Sequence, residues 1–533
     1  MSEITARRRE YLQRVLDEIE EPSKADYQKV MRPLDQPLGP QQHRKAKSYD
    51  SRMWAINHSR LVLGRDIDKA NRYFETACLD PRLIKRPDGM IDNPDWDFPG
   101  VMLLKTVLDF GLSDLLSEKA KTHLKAIFTD WKQPRPTVNA DNDRAARWPV
   151  IHTENHDIMC LTIGLFGAIL AGRDTAAHER ELSKSLACRF ERGWVEWHSP
   201  CYQIHYLNPL LILAGHAPSP ALRKGASDLI NLQMAERALL SIDGHLGGPF
   251  YRGYDRHIES DLFDAYLPVM WLAFGLSDPW LNLKEGVAFA ADSFQPDPIV
   301  SALAEEAATR PLLRYKGTRY DPSEREGRMP IYYYNTPHIS MGFMKALGFG
   351  HQSRFFNVMF AADPSKSLRT FMRDEQLHSA WDKRNERGEV VQYENWLISR
   401  GAMVEEGGIK PIKADKWSLY RAGKGLCAHV ELPGDLHVFQ VSDLDMYPDE
   451  RSFLNALSVP VKAGDSVRAK TAGGEEISVE LADMSLTVNG QAPEDWSDML
   501  HECPAMRSEY GGGVVEIKTQ QGNLTIDNRA LAI

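Results

Sequence analysis

Apolar residues recur at three- and four-residue spacing along most of the chain up to about residue 315, which is the pattern of amphipathic helices. Turn-forming residues separate these segments, as in the stretches 95–100, 217–220 and 244–249. Several segments are apolar almost all round, which is typical of inner helices covered by an outer layer. The predicted helices are 101–116, 117–131, 157–171, 176–192, 203–215 and 221–240.

After about residue 315 the pattern changes to short, strand-like runs separated by turns rich in glycine and aspartate. We predict an α+β multidomain protein: an (α/α) toroid of helical hairpins over residues 1–315, then an antiparallel β-sandwich domain over 316–533. A repeat solenoid is not favoured, because no motif recurs at a fixed period. Residues 318–329, rich in Arg, Glu, Asp and Gly, are the predicted linker. The predicted strands are 331–334, 355–360, 426–432, 436–441, 452–459, 477–481, 486–488, 514–519 and 524–526.

The composition narrows the function classes. The net charge of −10 over 533 residues argues against non-specific nucleic-acid binding, which needs a basic surface. Six widely spaced cysteines without a CxxC pair predict neither a disulfide framework nor a zinc cluster, so we expect no metal and no cofactor. No apolar run approaches a membrane span and no secretion signal is visible, which predicts a cytoplasmic protein without a membrane partner. A homo-oligomer stays open.

The most informative segment runs from Trp148 to residue 159, where Glu154, Asn155, His156 and Asp157 open an apolar helix. A helix N-terminus presents unpaired N–H groups, an amide donates to an anion, and an imidazole titrates near neutral pH. This combination suits a bound carboxylate. The alternative is that the polar residues only cap the helix while the histidine satisfies a core carbonyl.

A second segment, 193–206, leads from a turn into the helix 203–215. Tyr202, His205 and Tyr206 are spaced to share one helix face, where a phenol and an imidazole could transfer protons. The alternative is an aromatic stripe that packs against the next hairpin.

Two further segments carry candidate binding residues. Glycines around 244–253 allow close backbone approach, and Arg252 or Arg256 could grip a carboxylate with two hydrogen bonds. His338 opens the β region and would matter if that region covers the mouth of the toroid.

With this domain order the chain resembles the toroid polysaccharide lyases: the heparinase II/III, exolytic alginate lyase and, more distantly, chondroitin AC/hyaluronate lyase families. Asn155-His156 resembles their Asn-His pair. The segment 193–202 is similar to their Gly-x-x-x-Glu-x-Ser-Pro-x-Tyr motif, except that Glu196 lies one position nearer the glycine. The stretch 334–342 resembles the start of their β region, where a histidine can join the site.

The resemblance implies β-elimination on an acidic oligo- or polysaccharide that contains uronic acid. Asn155, His156 and Tyr202 would be the catalytic residues. Asn155, helped by Arg252 or the helix N-terminus, would neutralise the uronate carboxylate, and His156 or Tyr202 would remove the C5 proton. Tyr202 would protonate the leaving oxygen, and no metal is required. The expected substrate-binding residues are Trp148, Glu154, His205, Tyr206, Arg252, Arg256 and His338.

Three other functions stay open. An inverting glycoside hydrolase would use two carboxylates roughly 6.5–9.5 Å apart, and the sequence offers five candidates. A glycan-binding relative without catalysis and a dehydratase or isomerase acting on a small substrate are the others. The carboxylate candidates for a hydrolase are Glu154, Asp157, Glu196, Asp243 and Asp255.

Overall fold

A computed structural model describes most of the chain, and it shows a mixed α+β protein whose strands are antiparallel. Helices dominate up to residue 309 and strands dominate after it. In the described part of the chain, no helix combines the length and apolar character needed to cross a membrane. The described residues are 3–21, 40–77, 97–129, 154–253, 261–321, 327–345, 354–365, 367–371, 389–400, 403–405, 408–471 and 473–532.

All of the predicted helices form, and their ends move by up to six residues. The largest change is at the predicted helix 101–116, which begins at Asp97 and ends at Phe110. The helices are α1 (Glu3–Glu18), α2 (Pro40–Leu63), α3 (Ile67–Phe74), α4 (Asp97–Phe110), α5 (Glu118–Thr129), α6 (Glu154–Leu170), α7 (Ala176–Arg192), α8 (Gln203–His216), α9 (Pro220–Leu240), α10 (Leu267–Phe274), α11 (Val287–Ala290) and α12 (Pro298–Thr309).

The first helix contacts the last part of the helical region. α1 packs against its neighbour α2 and also against α10 and α11. The Arg7 guanidinium donates hydrogen bonds to the carbonyls of Leu272 and Ala273, at 3.1 and 3.0 Å. Tyr11 is fully buried and its hydroxyl donates to the carbonyl of Leu283. These contacts join the beginning of the helical region to its end.

α6 is the most enclosed of the site-bearing helices. Its side chains are buried on nearly all sides, because it packs against α4, α5, α7 and α8. Gly164 allows the close approach of α7, since a Cβ at this position would lie 2.8 Å from the ring of His178. The prediction of an inner helix is confirmed here.

The strands form three large antiparallel sheets and one small hairpin. The hairpin is β1 (Ser241–Ile242) with β2 (His245–Leu246). The ten-stranded sheet has the order β10 (Met403–Glu405), β7 (Ser367–Phe371), β6 (Phe356–Phe360), β5 (Ile339–Met344), β4 (Gly327–Asn335), β3 (Leu313–Asp321), β19 (Met499–Cys503), β20 (Met506–Glu509), β21 (Val514–Thr519) and β22 (Gly522–Asp527). The six-stranded sheet has the order β11 (Ile412–Ala414), β12 (Trp417–Ala422), β13 (Gly425–Leu432), β14 (Leu436–Asp443), β9 (Trp396–Arg400) and β8 (Glu389–Tyr393). The four-stranded sheet contains β15 (Val461–Ala463), β16 (Ser466–Lys470), β17 (Glu476–Glu480) and β18 (Ser485–Val488).

The six-stranded sheet is buried on both faces. Cys427 and Phe439 point into the core shared with the ten-stranded sheet, whereas the alternate residues Ala428 and Val438 pack against the four-stranded sheet. Successive side chains of a strand point to opposite faces, so one sheet serves two cores. The three sheets therefore lie in layers, and the ten-stranded sheet also packs against α12, α7 and β1.

The helices and the ten-stranded sheet share one continuous hydrophobic core. The predicted boundary between residues 315 and 316 falls inside β3. The predicted linker at 318–329 is wrong: its described residues belong to β3 and β4, which pair as a hairpin from Leu313↔Asn335 to Asp321↔Gly327. Charged residues are frequent in this stretch of sequence, and sequence alone does not distinguish such a strand pair from a linker.

The predicted strand at 452–459 is also wrong, because residues 450–456 form the helix α13 (Glu450–Ala456). The carboxylate of Asp449 accepts a hydrogen bond of 2.7 Å from the backbone N–H of Ser452 and caps this helix. An acidic N-cap residue favours a helix here over the strand that a short apolar run indicates.

Candidate functional site

Glu154, the first residue of α6, organises the backbone of the site. Its carboxylate accepts hydrogen bonds from the backbone N–H groups of Val195 and Glu196, at 2.9 and 2.8 Å, and from the guanidinium of Arg189. The side chain is buried. Both of its oxygens hold the backbone of the segment that leads to Tyr202, and its contact with a substrate stays a prediction.

His156 lies one residue beyond Asn155 and is oriented by Asp97, the first residue of α4. The His156 Nδ1 is 2.6 Å from Asp97 Oδ2, and the Cys160 thiol is 3.7 Å from the same oxygen. A carboxylate at Nδ1 favours the tautomer in which Nε2 carries the lone pair, as a general base requires. Sequence analysis missed Asp97 because the stretch 95–100 has turn composition, although an acidic residue just before Phe98-Pro99 is also a helix-start signal.

Asn155 is completely buried, and neither atom of its side-chain amide has a hydrogen-bond partner in the described part of the chain. A buried amide without partners costs free energy. Such a cost is common where a group is kept for binding, so Asn155 stays a candidate carboxylate donor.

Phe98 brings the two predicted segments together. Its ring packs edge-on against His156, with centroids 5.2 Å apart, and against His205, with centroids 4.5 Å apart. The ring of Tyr202 is 6.3 Å from that of His205. The Phe98 ring of α4 therefore contacts both His156 of α6 and His205 of α8.

Arg252 adds a positive charge to this group. Its guanidinium carbon lies 4.7 Å from the centroid of the Tyr202 ring, and its Nη1 donates to Glu196 Oε1 at 2.7 Å. Burial raises the pKa of Glu196 to about 6, and the opposing charge of Arg252 limits the rise. We call Asp97, His156, Tyr202, Glu196 and Arg252 the site cluster.

Ser199 connects the segment that leads to Tyr202 with the segment that carries Arg252. Its hydroxyl donates to the carbonyl of Arg252 at 2.7 Å and accepts from the backbone N–H of Tyr202 at 3.1 Å. Arg252 has a φ of 70°, and His198, which precedes Ser199 in the chain, has a φ of 49°. Residues with a side chain rarely adopt this region of backbone conformation. Strained backbone of this kind is common at functional sites.

The residues of the site differ in their exposure to solvent. His156 and Tyr202 are each 8% exposed, and His205 and Arg252 are half-buried, so all four keep some contact with solvent. Tyr206 is fully buried: its ring stacks on Trp194 at 4.2 Å and its hydroxyl donates to Glu196. In the described structure Tyr206 supports the carboxylate of Glu196, and its contact with a substrate stays a prediction.

His338 does not join the site cluster through any described contact. Its Nε2 lies 2.7 Å from Asp445 Oδ2, and Lys424 donates to the other oxygen of that carboxylate at 2.7 Å. His338 lies in the turn between β4 and β5 and belongs to an ion cluster within the β region, and its role in substrate binding stays a prediction. Trp148 and Arg256 lie outside the described residues.

A second group of buried polar residues joins the helices to the ten-stranded sheet. Glu236 of α9 accepts a hydrogen bond of 3.0 Å from Arg319 and lies 3.2 Å from His501 Nε2. The hydroxyl of Tyr315 is 2.8 Å from His501 Nδ1 and 3.1 Å from Arg319 Nη2. We call Glu236, Tyr315, Arg319 and His501 the interface cluster.

The interface cluster supports the backbone of the site. The guanidinium of Arg319 stacks on Trp197 at 3.9 Å. Trp197 follows Glu196, whose backbone N–H donates to Glu154, and precedes Tyr202 in the chain. Gly193 makes this approach possible, because a Cβ there would clash with the Arg319 side chain. Sequence analysis did not find this cluster, since its residues come from three distant parts of the chain.

Within the described ranges, no group of three or more His, Cys, Asp or Glu side chains is arranged to hold a metal ion. No family model matches the chain, and none of the curated proteins matches it in sequence. The site is therefore interpreted from its own geometry.

Proposed function

We propose that the protein is a carbohydrate-active lyase that cleaves a uronic-acid-containing oligo- or polysaccharide by β-elimination. The supporting observation is that an oriented imidazole, a phenol and a guanidinium lie together and keep contact with solvent. These are His156 beside Asp97, and Tyr202 beneath Arg252. They match the base, the acid and the carboxylate-binding cation that the reaction needs.

In the proposed reaction, Arg252 and the Asn155 amide hold the uronate carboxylate and stabilise the negative charge that spreads onto it. His156 Nε2 removes the C5 proton, and the electron pair forms the C4–C5 double bond. The C4–O bond then breaks, and Tyr202 gives its phenolic proton to the leaving oxygen. Asp97 stabilises the imidazolium that forms during proton removal.

We also propose the finer architecture that this function implies. The contacts of α1 with α10 and α11 support a closed (α/α) toroid, and the layered sheets support a β-sandwich region behind it. The shared core supports a helical region and a β region that act as one unit.

The products test the reaction. Purified protein is incubated with oligosaccharides that contain glucuronate, mannuronate, guluronate or iduronate, and the products are measured by mass spectrometry and ultraviolet absorbance. We expect fragments whose masses add up to that of the substrate, together with the absorbance of an unsaturated uronate. Fragments that gain one water without this absorbance would show hydrolysis instead.

Glycoside hydrolysis is the second candidate, and one observation favours it. Glu196 has a pKa of about 6 because of its burial, and a carboxyl group that keeps its proton near neutral pH is a usual general acid for this reaction. Against this role, both Glu196 oxygens are engaged, one by Arg252 and one by Tyr206. Product masses separate the two reactions directly.

A further inference from the structure

A pocket of about 790 Å³ lies in the β region, where strands of all three large sheets meet the loop 489–498. β3, β4 and β5 supply part of its wall, β8 another part, and β18 the third. A neighbouring pocket of about 650 Å³ shares Lys316, Tyr332, Glu394 and Glu494 with it. The described lining of neither pocket includes a member of the site cluster.

Aromatic rings and charged groups alternate in the wall of the larger pocket. The rings of Tyr332 and Trp496 are 6.0 Å apart, and Lys316 Nζ lies 5.5 Å from the centroid of Trp496. Tyr393 also lines the pocket and is half-buried. Such walls suit a sugar ring, whose C–H face packs on an aromatic side chain while its hydroxyls bond to polar neighbours.

Two polar atoms of the lining residues have no partner among the described residues. Gln392 is 3% exposed and its side-chain carbonyl oxygen accepts no hydrogen bond, while Trp496 Nε1 donates none. One of these atoms needs a donor and the other an acceptor. A hydroxyl group is both, so a polyhydroxylated ligand satisfies the pair, whereas a simple anion could serve only the tryptophan.

The charges of the pocket disfavour a strongly anionic ligand. Lys316 is paired with Glu494 at 3.2 Å, and Arg328 is paired with Asp498 at 2.5 Å. Lys345 adds one exposed positive charge at the rim. The pocket is therefore nearly balanced and accommodates a weakly acidic chain better than a densely sulfated one.

We propose that this pocket is a second glycan-binding site, which holds part of an oligosaccharide away from the site cluster. The choice of uronate-containing chains as ligand rests on the proposed function, whereas the choice of a glycan rests on the pocket itself. Trp496 supplies the stacking face, Gln392 Oε1 accepts a hydrogen bond from a hydroxyl group of the chain, and Lys316 donates to a hydroxyl or carboxylate group.

The test measures binding in the Tyr202→Phe background, so that turnover does not consume the ligand. Hexasaccharides of uronic acid alone and of uronic acid alternating with hexosamine are titrated by calorimetry. We expect Trp496→Ala to weaken binding of the preferred hexasaccharide about ten-fold. Trp280→Ala removes a half-buried tryptophan of the helical region as a matched control and is expected to leave the affinity unchanged.

Hydrogen exchange localises the ligand without relying on a variant that could misfold. Addition of the hexasaccharide should slow exchange in peptides covering 389–394 and 489–498. The proposal would be overturned if the hexasaccharide did not slow exchange in these peptides, or if a folded Trp496→Ala protein bound it with unchanged affinity. Failure of the proposed lyase reaction has a different signature: the peptides are still protected, but the wild-type protein makes no unsaturated product.

Discussion

The site cluster and the interface cluster are built from the same kinds of groups, yet their surroundings differ. Each contains a histidine, a tyrosine, an arginine and at least one carboxylate. In the site cluster, His156 and Tyr202 are 8% exposed and Arg252 is half-buried. In the interface cluster, the exposed fraction of every member is at most 2%.

The difference in burial changes the chemistry of the two clusters. Burial lowers the pKa of His501 well below its usual value and raises that of Glu236 to about 7, so both groups favour their neutral forms. A histidine held neutral and sealed from solvent cannot exchange protons with a substrate. The comparison teaches that access, and not the set of residue types, separates a candidate catalytic group from a structural one.

The largest expected effect tests the site cluster. Tyr202→Phe and His156→Ala should each lower turnover of the cleaved glycan about a thousand-fold or more, because each removes a proton-transfer group. Thermal unfolding of Tyr202→Phe should change little, since only a hydroxyl is removed, whereas His156→Ala should also lower the melting temperature, because the buried Asp97 carboxylate loses its imidazole partner. Rates and melting temperatures are measured together.

Tyr266→Phe is the matched control for the tyrosine. The Tyr266 hydroxyl is buried, and within the described part of the chain it has no hydrogen-bond partner, so its loss should leave turnover near the wild-type rate. Near-normal turnover in Tyr202→Phe would remove this residue from the chemistry.

The next effect tests the interface cluster. Arg319→Met should lower the free energy of unfolding by about 3 kcal/mol, because it removes a buried guanidinium that donates hydrogen bonds to Glu236 and to the carbonyl of Leu500 and stacks on Trp197. Arg421→Met is the control: Arg421 pairs with Glu450 at the surface, and its loss should cost less than about 1 kcal/mol. Both values come from urea unfolding. Equal losses in the two variants would contradict the distinction between a sealed and an exposed ion pair.

The smallest effect is a pH dependence. The folded-state pKa of Glu236 is raised to about 7, above the usual value near 4.5. The neutral Glu236 carboxyl group therefore contributes fully to the stability of the fold at pH values below its unfolded-state pKa near 4.5. This contribution is lost as the pH rises through the folded-state pKa of about 7. Glu236→Gln cannot ionise, so its stability should lack this loss.

We expect the wild-type stability, relative to that of Glu236→Gln, to fall by about 2 kcal/mol between pH 5 and pH 8. His198 and His501 contribute in the opposite direction, since burial lowers their pKa values, but both proteins contain them and the difference removes them to first order. A difference that stays constant with pH would mean that Glu236 is already ionised at pH 5.

Sequence patterns predicted the helices well because α6 to α9 carry long apolar faces between clear turn residues. They failed where local signals compete, as at α13. The Asp449 carboxylate, which accepts a hydrogen bond from the Ser452 N–H, favours a helix there, although the short apolar run predicts a strand. They also failed at residues 318–329, where the many charged residues are typical of a linker although the described part pairs as β3 and β4.

For the site, sequence analysis found His156, Tyr202 and Arg252 because each lies in a polar segment that interrupts apolar helices. It missed Asp97, which meets His156 across 59 residues of chain. It also did not reveal that Glu154 binds backbone amides and that Tyr206 supports Glu196. Residue type and spacing do not reveal which way a side chain faces.

The sequence by itself determined that helices precede antiparallel strands, and that polar residues open α6 and precede α8, because periodicity and turn chemistry are local properties of the chain. Only the tertiary structure decided which imidazole meets a carboxylate, which phenol lies under a guanidinium and which arginine is sealed between helix and sheet. Those outcomes depend on contacts between residues far apart in the chain, and burial, which sets their protonation and access, exists only once the layers have packed.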